Sequence, residues 1–268
     1  MNLALLFPTA SPEILRSIER ALEGRELGTR EAERMLVAQG DDLQLILRAA
    51  DVARRQDVGD DISFVVCRNI NFTNVCYVGC SFCGFARHKH EEDAYDRTLE
   101  DVVGRAQEAV ARGASEVCIQ GGIPPNKDGF WYREIVRAIK RELPDLHIHA
   151  FSPEEIHFGQ QKSNGMSLRD YLTMLKDEGL GTIPGTAAEI LDDDIRKILS
   201  PRKLMTERWI EIVTTAHEVG LRSSSTLMYG HIESPHHISR HLEILRDIQK
   251  QTGGFTEFVA ESWRAHFL

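Results

Sequence analysis

The sequence predicts an α/β protein: a partial, TIM-like (β/α)6 barrel of parallel strands behind an N-terminal helical prefix. Three observations carry this. The first sixty residues show only helical periodicity. From Asp61 the pattern turns to strand, helix, strand, and six strand candidates follow. Several of the helices between them end on glycine directly before the next strand, as right-handed crossovers between parallel strands do.

The prefix spans residues 1–60. "SPEILRSIERALEG" opens on Ser11 as N-cap with Pro12 at the first helical position. Ile14, Leu15, Ile18, Ala21 and Leu22 then share a face, and Gly24 ends the helix. "TREAERMLVAQG" and "DDLQLILRAADVARRQ" repeat the scheme with Thr29 and Asp41 as caps. The barrel spans residues 61–260. Its strand candidates are "ISFVVCRNI", "SEVCIQGG", "LHIHAFS", "GTIPGT", "LRSSSTLMYG" and "FTEFVAE". The helices between are "LEDVVGRAQEAVARG", "FWYREIVRAIKREL", "SLRDYLTMLKDEG", "TERWIEIVTTAHEVG" and "HISRHLEILRDIQKQTGG". The strands are spaced more loosely than the roughly 31 residues per unit of a compact eightfold barrel. Residues 261–268 form a short tail.

Composition narrows the function. The chain has 268 residues, 42% hydrophobic and 27% charged, enough for a packed core. A net charge of −9 argues against a nucleic-acid partner, which needs a basic surface. No apolar run reaches the length of a membrane span, and "MNLALLFPTASPEI" reads as neither signal nor anchor. The expected location is cytoplasmic, where thiols stay reduced.

Five cysteines are present, and "NVCYVGCSFCGF" places Cys76, Cys80 and Cys83 within eight residues, directly after the first strand. In a barrel of this kind the chemistry sits at the C-terminal ends of the strands. An odd count in a reducing compartment argues against disulfides. A zinc clip would take these three thiols and His88 or His90. Alternatively, three thiolates at C-x3-C-x2-C hold three irons of a [4Fe-4S] cubane and leave the fourth open. S-adenosylmethionine, chelating through its amino and carboxylate groups, fills such a corner, and the reduced cluster can then cleave it to a 5′-deoxyadenosyl radical. Cys67 and Cys118 fall within strands and read as small hydrophobes. "RHKHEED", from Arg87 to Asp93, reads as a solvated loop.

With Phe82 before its last cysteine, this motif resembles that of the radical S-adenosylmethionine enzymes. The resemblance implies a [4Fe-4S] cluster on Cys76, Cys80 and Cys83. It implies S-adenosylmethionine held by Phe82, by the Gln120, Gly121, Gly122 turn, and by Gly230 with Glu233. Two glycines after a strand also suit a plain turn. Thr226 and Met228 stand where the family usually has glycine and isoleucine. Glu189 is placed to accept from the ribose of S-adenosylmethionine, or to sit in a helix first turn against the dipole.

Longer phrases, among them "RNINFTNVCYVGCSFCGFA", "HIHAFSPEEI" and "GLGTIPGTAAEILDDDIRKILSP", resemble the tyrosine-using half of the FO synthases, the 4-hydroxyphenyl transferases of deazaflavin (coenzyme F-420) biosynthesis. The resemblance runs to about Val259. It implies L-tyrosine and 5-amino-6-(D-ribitylamino)uracil as substrates, an electron donor, and a companion FO synthase subunit. It implies Cα–Cβ cleavage of tyrosine and addition of the 4-hydroxybenzyl group to the uracil ring. His147 and His149 share a face of the third strand, with Ser152 and Glu155 beyond, as candidate substrate contacts; the strand period leaves open whether that face points inward. The family continues after "FTEFV" with a further segment, where this sequence reads "AESWRAHFL", so a truncated C-terminus is expected. Alternative readings are a futalosine-pathway enzyme of menaquinone synthesis and a truncated, inactive barrel.

Overall fold

The structure is a computed structural model that describes residues 7–263. The stretch through Leu6, part of the segment read as neither signal nor anchor, lies outside the described residues, as does the tail from Arg264. The chain forms two compact units, Met1–Phe64 with Glu233–Glu243, and Val65–Ile232 with Ile244–Leu268.

The first unit contains α1 (Pro12–Leu22), α2 (Thr29–Leu36) and α3 (Gly40–Val58). Ser11 caps α1, its hydroxyl accepting from Ile14 N at 3.4 Å. The other two caps fall upstream of Thr29 and Asp41, at Gly28 and Gln39. The side chains expected as caps have other partners, the Thr29 hydroxyl donating to Glu243 Oε1 at 3.4 Å. Asp41 accepts from the Thr9 hydroxyl and Asp42 from Ser11 N, so these carboxylates tie α3 to the start of α1. Ile14 and Ile18 pack on Leu45 and Ala49 beneath those ties.

The second unit runs β1 (Cys67–Asn71), α4 (Leu99–Ala111), β2 (Glu116–Gln120), α5 (Trp131–Glu142), β3 (His147–Ala150), α6 (Pro153–Gln161), α7 (Leu168–Asp177), β4 (Thr182–Ile183), α8 (Asp193–Leu199), α9 (Thr206–Glu218), β5 (Arg222–Tyr229), α10 (Pro235–Thr252) and β6 (Phe255–Ser262). The first turns of α10 belong to the helical unit. All six strands pair in parallel in chain order, with β1 and β6 at the edges, which is a partial (β/α)6 barrel. Val117, Ile119, Ile148, Ala150 and Ile183 are fully buried in one apolar cluster with helix residues such as Val102, Ile135, Leu172 and Val213. Each such side chain contributes about 1.5–3 kcal/mol. Strand alternation therefore sends Glu116, Cys118, Gln120, His147, His149 and Thr182 to the inner face. Register sets Asn69, Cys118, His149 and Thr182 side by side across four strands. The barrel's inner face is polar.

The sequence reading differs from the structure at five elements. The first strand starts at Cys67, not Ile62, and Ile62 and Phe64 are 91% and 87% exposed. Pairing with β2 begins at Cys67↔Glu116, and β-branched composition without a partner strand makes no strand. "GTIPGT" yields only Thr182–Ile183, since Pro184 has no N–H to extend the ladder. Helices α6 and α8 were not anticipated, because nine and seven residues are too short to display a period. Glu261 and Ser262, assigned to the tail, complete β6, and Trp263 N donates to Tyr229 O at 2.7 Å. Among the described residues no helix is long and apolar enough to cross a membrane.

Candidate cofactor-binding site

The loop after β1 is fastened at both ends. At its base, Val75 N donates to the Thr73 hydroxyl, which donates to Tyr95 O, and the Asn74 amide bridges Asp93 O and Tyr95 N. Cys76 N donates to Arg87 O, while the Arg87 guanidinium grips Asp93 with both oxygens at 2.8 Å and donates to Gly84 O and Ala86 O. Arg87 is therefore a clamp on the cysteine loop, not part of a merely solvated run. At the far end, Ser81 N and its hydroxyl both donate to Leu199 O, and Arg202 Nε donates to Val78 O at 3.0 Å. Nothing in the spacing of the cysteines had pointed to these anchors.

The turn after β2 lies against that loop. Gly122 N donates to Thr73 O at 2.8 Å. A Cβ at Gly122 would stand 2.3 Å from Val75 O, and one at Gly121 would stand 2.7 Å from the Phe72 ring. Close approach, not turn conformation, requires the pair of glycines. Gly121 N donates to Glu155 Oε1 at 2.9 Å, while Glu155 Oε2 accepts from Ser152 N and the Ser152 hydroxyl. Ser152 and Glu155, candidates for substrate contact, thus form the capping box of α6, and Glu155 is only 1% exposed. Burial pushes its carboxyl up to about 7, opposed by the hydrogen bonds from Ser152 and Gly121.

The loop between β4 and α8 supplies the third wall. Ala187 and Glu189 have φ of 64° and 40°, unusual for non-glycine residues. Arg196, 1% exposed, holds them there by donating to the carbonyls of Ala187, Ala188, Ile190 and Leu204. Glu189 precedes Asp192, the N-cap of α8, so it is not a first-turn carboxylate. Its Oε1 lies 2.7 Å from Lys203 Nζ, and its buried Oε2, 3.6 Å from Arg196 Nη1, has no hydrogen-bond partner.

These three walls line a cleft of about 180 Å3 at the C-terminal ends of β1, β2 and β4. Cys76, Cys80 and Cys83 line it together with Phe82, Gln120, Gly121, Gly122 and Glu189. Glu154, Thr186 and Lys203 line it too, and sequence reasoning missed all three. Lys203 is 12% exposed and lies 5.7 Å from the centre of the Phe82 ring. Burial alone would lower its pKa, but Glu189 and Cys80 outweigh that and raise it. Burial pushes the Cys80 thiol up to about 12, with Lys203 pulling the other way. Gly230 ends β5 outside the cleft wall, and Glu233 belongs to the helical unit.

Deeper in the barrel, His147 Nε2 and His149 Nδ1 both meet the Thr182 hydroxyl, at 2.9 and 2.7 Å. The question left open by the strand period is thereby answered: their face is the inner one. Burial lowers the pKa of His149, which keeps it neutral near pH 7. Cys67 and Cys118 share this inner face.

The donor set fits an iron–sulfur cluster. All three thiols are free and line one cleft. Among the described residues no three His, Cys, Asp or Glu groups converge as a ready site for a single metal ion. A cubane asks for something different, one thiolate for each of three irons. His88 and His90, the would-be fourth zinc ligands, are exposed and stack on each other outside the cleft. The buried, unpartnered Glu189 Oε2 adds an acceptor for the hydroxyl or amino groups of a polar cofactor.

A parallel partial barrel with three cysteines on its first loop defines a class, and the chain belongs to the radical SAM superfamily, whose description matches residues 70–245. That family implies a [4Fe-4S] cluster and S-adenosylmethionine. Within it, the chain is 56% identical over 245 residues to FO synthase of Mycobacterium tuberculosis, covering 91% of this chain and 28% of that protein. It is 47% identical over 229 residues to the 5-amino-6-(D-ribitylamino)uracil–L-tyrosine 4-hydroxyphenyl transferase of Methanothermobacter thermautotrophicus, covering 85% of this chain and 62% of that protein. The chain thus spans little more than a quarter of the length of the FO synthase. Among solved structures, HydG from Carboxydothermus hydrogenoformans, an FeFe-hydrogenase maturase, superposes with a TM-score of 0.72 at 18% identity, covering 98% of this chain and 59% of that one. Methylornithine synthase (PylB) superposes with a TM-score of 0.69 at 16% identity, covering 92% and 67%. These two share the fold.

Proposed function

We propose that this chain carries out the tyrosine-using step of FO formation, moving the 4-hydroxybenzyl group of L-tyrosine onto 5-amino-6-(D-ribitylamino)uracil. The observation that carries the reading is the single cleft shared by Cys76, Cys80, Cys83, the Gln120–Gly122 turn and Glu189. The names of its relatives supply the substrates. Cys76, Cys80 and Cys83 would hold the cluster, with Phe82, Gln120, Gly121, Gly122 and Glu189 around S-adenosylmethionine. When bound, cluster and S-adenosylmethionine supply one-electron chemistry, an alkyl radical able to take a hydrogen atom from substrate.

The chain's own residues do the rest. Gly121 and Gly122 let the turn lie close enough to the thiol loop for both to meet one cofactor, and Glu155 fixes the turn through Gly121 N. The inner face below offers His147, His149 and Thr182 as hydrogen-bonding groups for the ribityl hydroxyls, the uracil carbonyls or the amino-acid groups of tyrosine. Apolar packing behind β1 to β4 keeps water from that face by the outer route.

The test is an anaerobic assay of reconstituted protein with S-adenosylmethionine, dithionite, tyrosine and the diaminouracil. Expected products are 5′-deoxyadenosine, glyoxylate from 2-iminoacetate, and the hydroxybenzyl–uracil adduct by mass. Cleavage of S-adenosylmethionine that ignores both substrates, or that responds only to a futalosine-pathway substrate, would reject the assignment.

A further inference from the structure

We infer that Lys203 sets the reduction potential of the cluster, its fixed positive charge favouring the reduced form. This rests on the reading that Cys76, Cys80 and Cys83 hold that cluster.

The geometry fixes Lys203 against the thiol loop. The segment that carries it is bolted to the loop twice, by Ser81 on Leu199 O and by Arg202 on Val78 O. Arg202 is the preceding residue, so Lys203 has little freedom to swing away. Its ammonium lies 2.7 Å from Glu189 Oε1 and 5.7 Å from the Phe82 ring centre, both part of the cleft wall. Phe82 sits between Cys80 and Cys83 in the chain.

Glu189 alone does not cancel the charge, and solvent screens it little. Glu189 also faces Arg196 at 3.6 Å, so its single negative charge is divided between two cations. The guanidinium of Arg196 is already committed to loop carbonyls, and Glu154 accepts from Leu204 N. Side chains 12% and 11% exposed interact with little solvent between them. Reducing the cluster adds one negative charge to a centre that three thiolates already make electron-rich. A nearby cation stabilises the reduced form more than the oxidised one, and net charge is among the factors that set cluster potentials.

The experiment is a spectroelectrochemical titration of cluster-loaded protein without S-adenosylmethionine, so that cofactor affinity does not enter. In each step dithionite, oxidised to sulfite, passes one electron to the cluster, and the reduced form is read by paramagnetic resonance. At the potential where the wild type is half reduced, Lys203→Met is expected to show a reduced-to-oxidised ratio about tenfold lower, a shift of about 59 mV to the negative. Lys203→Arg keeps the charge and should stay near wild type. Glu189→Gln strips the counter-charge and should move the potential the opposite way. Wild-type potentials in both Lys203→Met and Glu189→Gln, with iron and sulfide retained, overturn the inference. If Lys203→Met cannot hold a cluster, Glu189→Gln decides alone, and an unmoved potential there overturns it. A wild-type protein with no cubane signal would instead overturn the cluster reading, and this inference with it.

Discussion

The rim of the barrel and its inner face are built by opposite means. At the rim, most ties have a backbone group on at least one side: Gly122 N on Thr73 O, Gly121 N on Glu155, Cys76 N on Arg87 O, Ser81 N on Leu199 O, Arg202 on Val78 O. On the inner face the ties are between side chains, with two imidazoles sharing one threonine hydroxyl. Backbone ties fix the position of whatever the loops carry, and they tolerate few substitutions. Side-chain ties can be broken and remade with a ligand at a cost of about 1 kcal/mol each. A rim that must present three thiolates to one cluster needs the first kind. A face that must accommodate a polar substrate works better with the second.

The largest effect that sharpens this contrast is loss of a rim thiol. Cys76→Ala, Cys80→Ala and Cys83→Ala are each expected to abolish cleavage of S-adenosylmethionine, because each thiolate serves a different iron. Cys67→Ala and Cys118→Ala, on the inner face, should keep iron, sulfide and the visible spectrum. A Cys80→Ala protein that retains cluster and cleavage would dissolve the distinction.

Next comes the strut beneath the rim. The Glu155 carboxyl keeps its proton to about pH 7 in the folded protein, against an ordinary value of 4.5, because it is buried. Between those values the folded state binds more protons than the unfolded chain, so stability falls as pH rises through the window, and the loss is complete above about 7. From pH 5 to 8 this amounts to about 2.5 kcal/mol. Glu155→Gln carries no titrating proton and should lack that slope, while being less stable at low pH for want of one acceptor. Denaturant unfolding at the two pH values measures both, and parallel slopes would show that Glu155 does not titrate in this window.

The motif on the thiol loop was legible because chemistry fixes its spacing, and the six parallel strands because alternation and crossover length repeat. What holds the loop was not. Ser81, Arg202 and Arg196 act through carbonyls far away in the chain, and no local pattern marks a residue that bonds Leu199 or Ala187. Lys203 is one of 32 basic residues and looks like any other until α8 brings it beside Phe82. The inner face of β3 illustrates a different limit. Period two groups His147 with His149, but only burial of Ile148 and Ala150 among helix residues says which side they take. Ser152 and Glu155 were noticed for their position but not as a capping box, since S-x-x-E can precede any helix and α6 was too short to be seen.

A third test separates close approach from turn conformation. Gly122→Ala puts a methyl 2.3 Å from Val75 O and 2.7 Å from its carbonyl carbon, both backbone, so the thiol loop must shift. The expected cost is about 2 kcal/mol, together with S-adenosylmethionine affinity at least tenfold weaker. Gly104→Ala is the control: it lies inside α4 with nothing within 4 Å of a new Cβ, and should stabilise by about 0.5–1 kcal/mol. Equal behaviour of the two variants in thermal melts would mean that the turn does not rest on the loop as described.

The smallest expected change in stability bears most directly on the inner face. The Thr182 hydroxyl has one proton and meets two ring nitrogens, so it donates to at most one imidazole and accepts from at least one. It thereby couples the tautomers of His147 and His149. Thr182→Val keeps the shape and removes this arbiter, at a cost of about 1 kcal/mol. Because His149 is neutral and the barrel can admit water, both rings can find substitute partners. Cluster content and S-adenosylmethionine affinity should be unchanged, since no rim residue bonds Thr182. If the inner face binds substrate, the half-saturating concentration of tyrosine or of the diaminouracil should rise several-fold, and more 5′-deoxyadenosine should form per adduct. A variant that binds and couples both substrates like the wild type would confine substrate recognition to the rim and leave the imidazole pair a structural feature of β3.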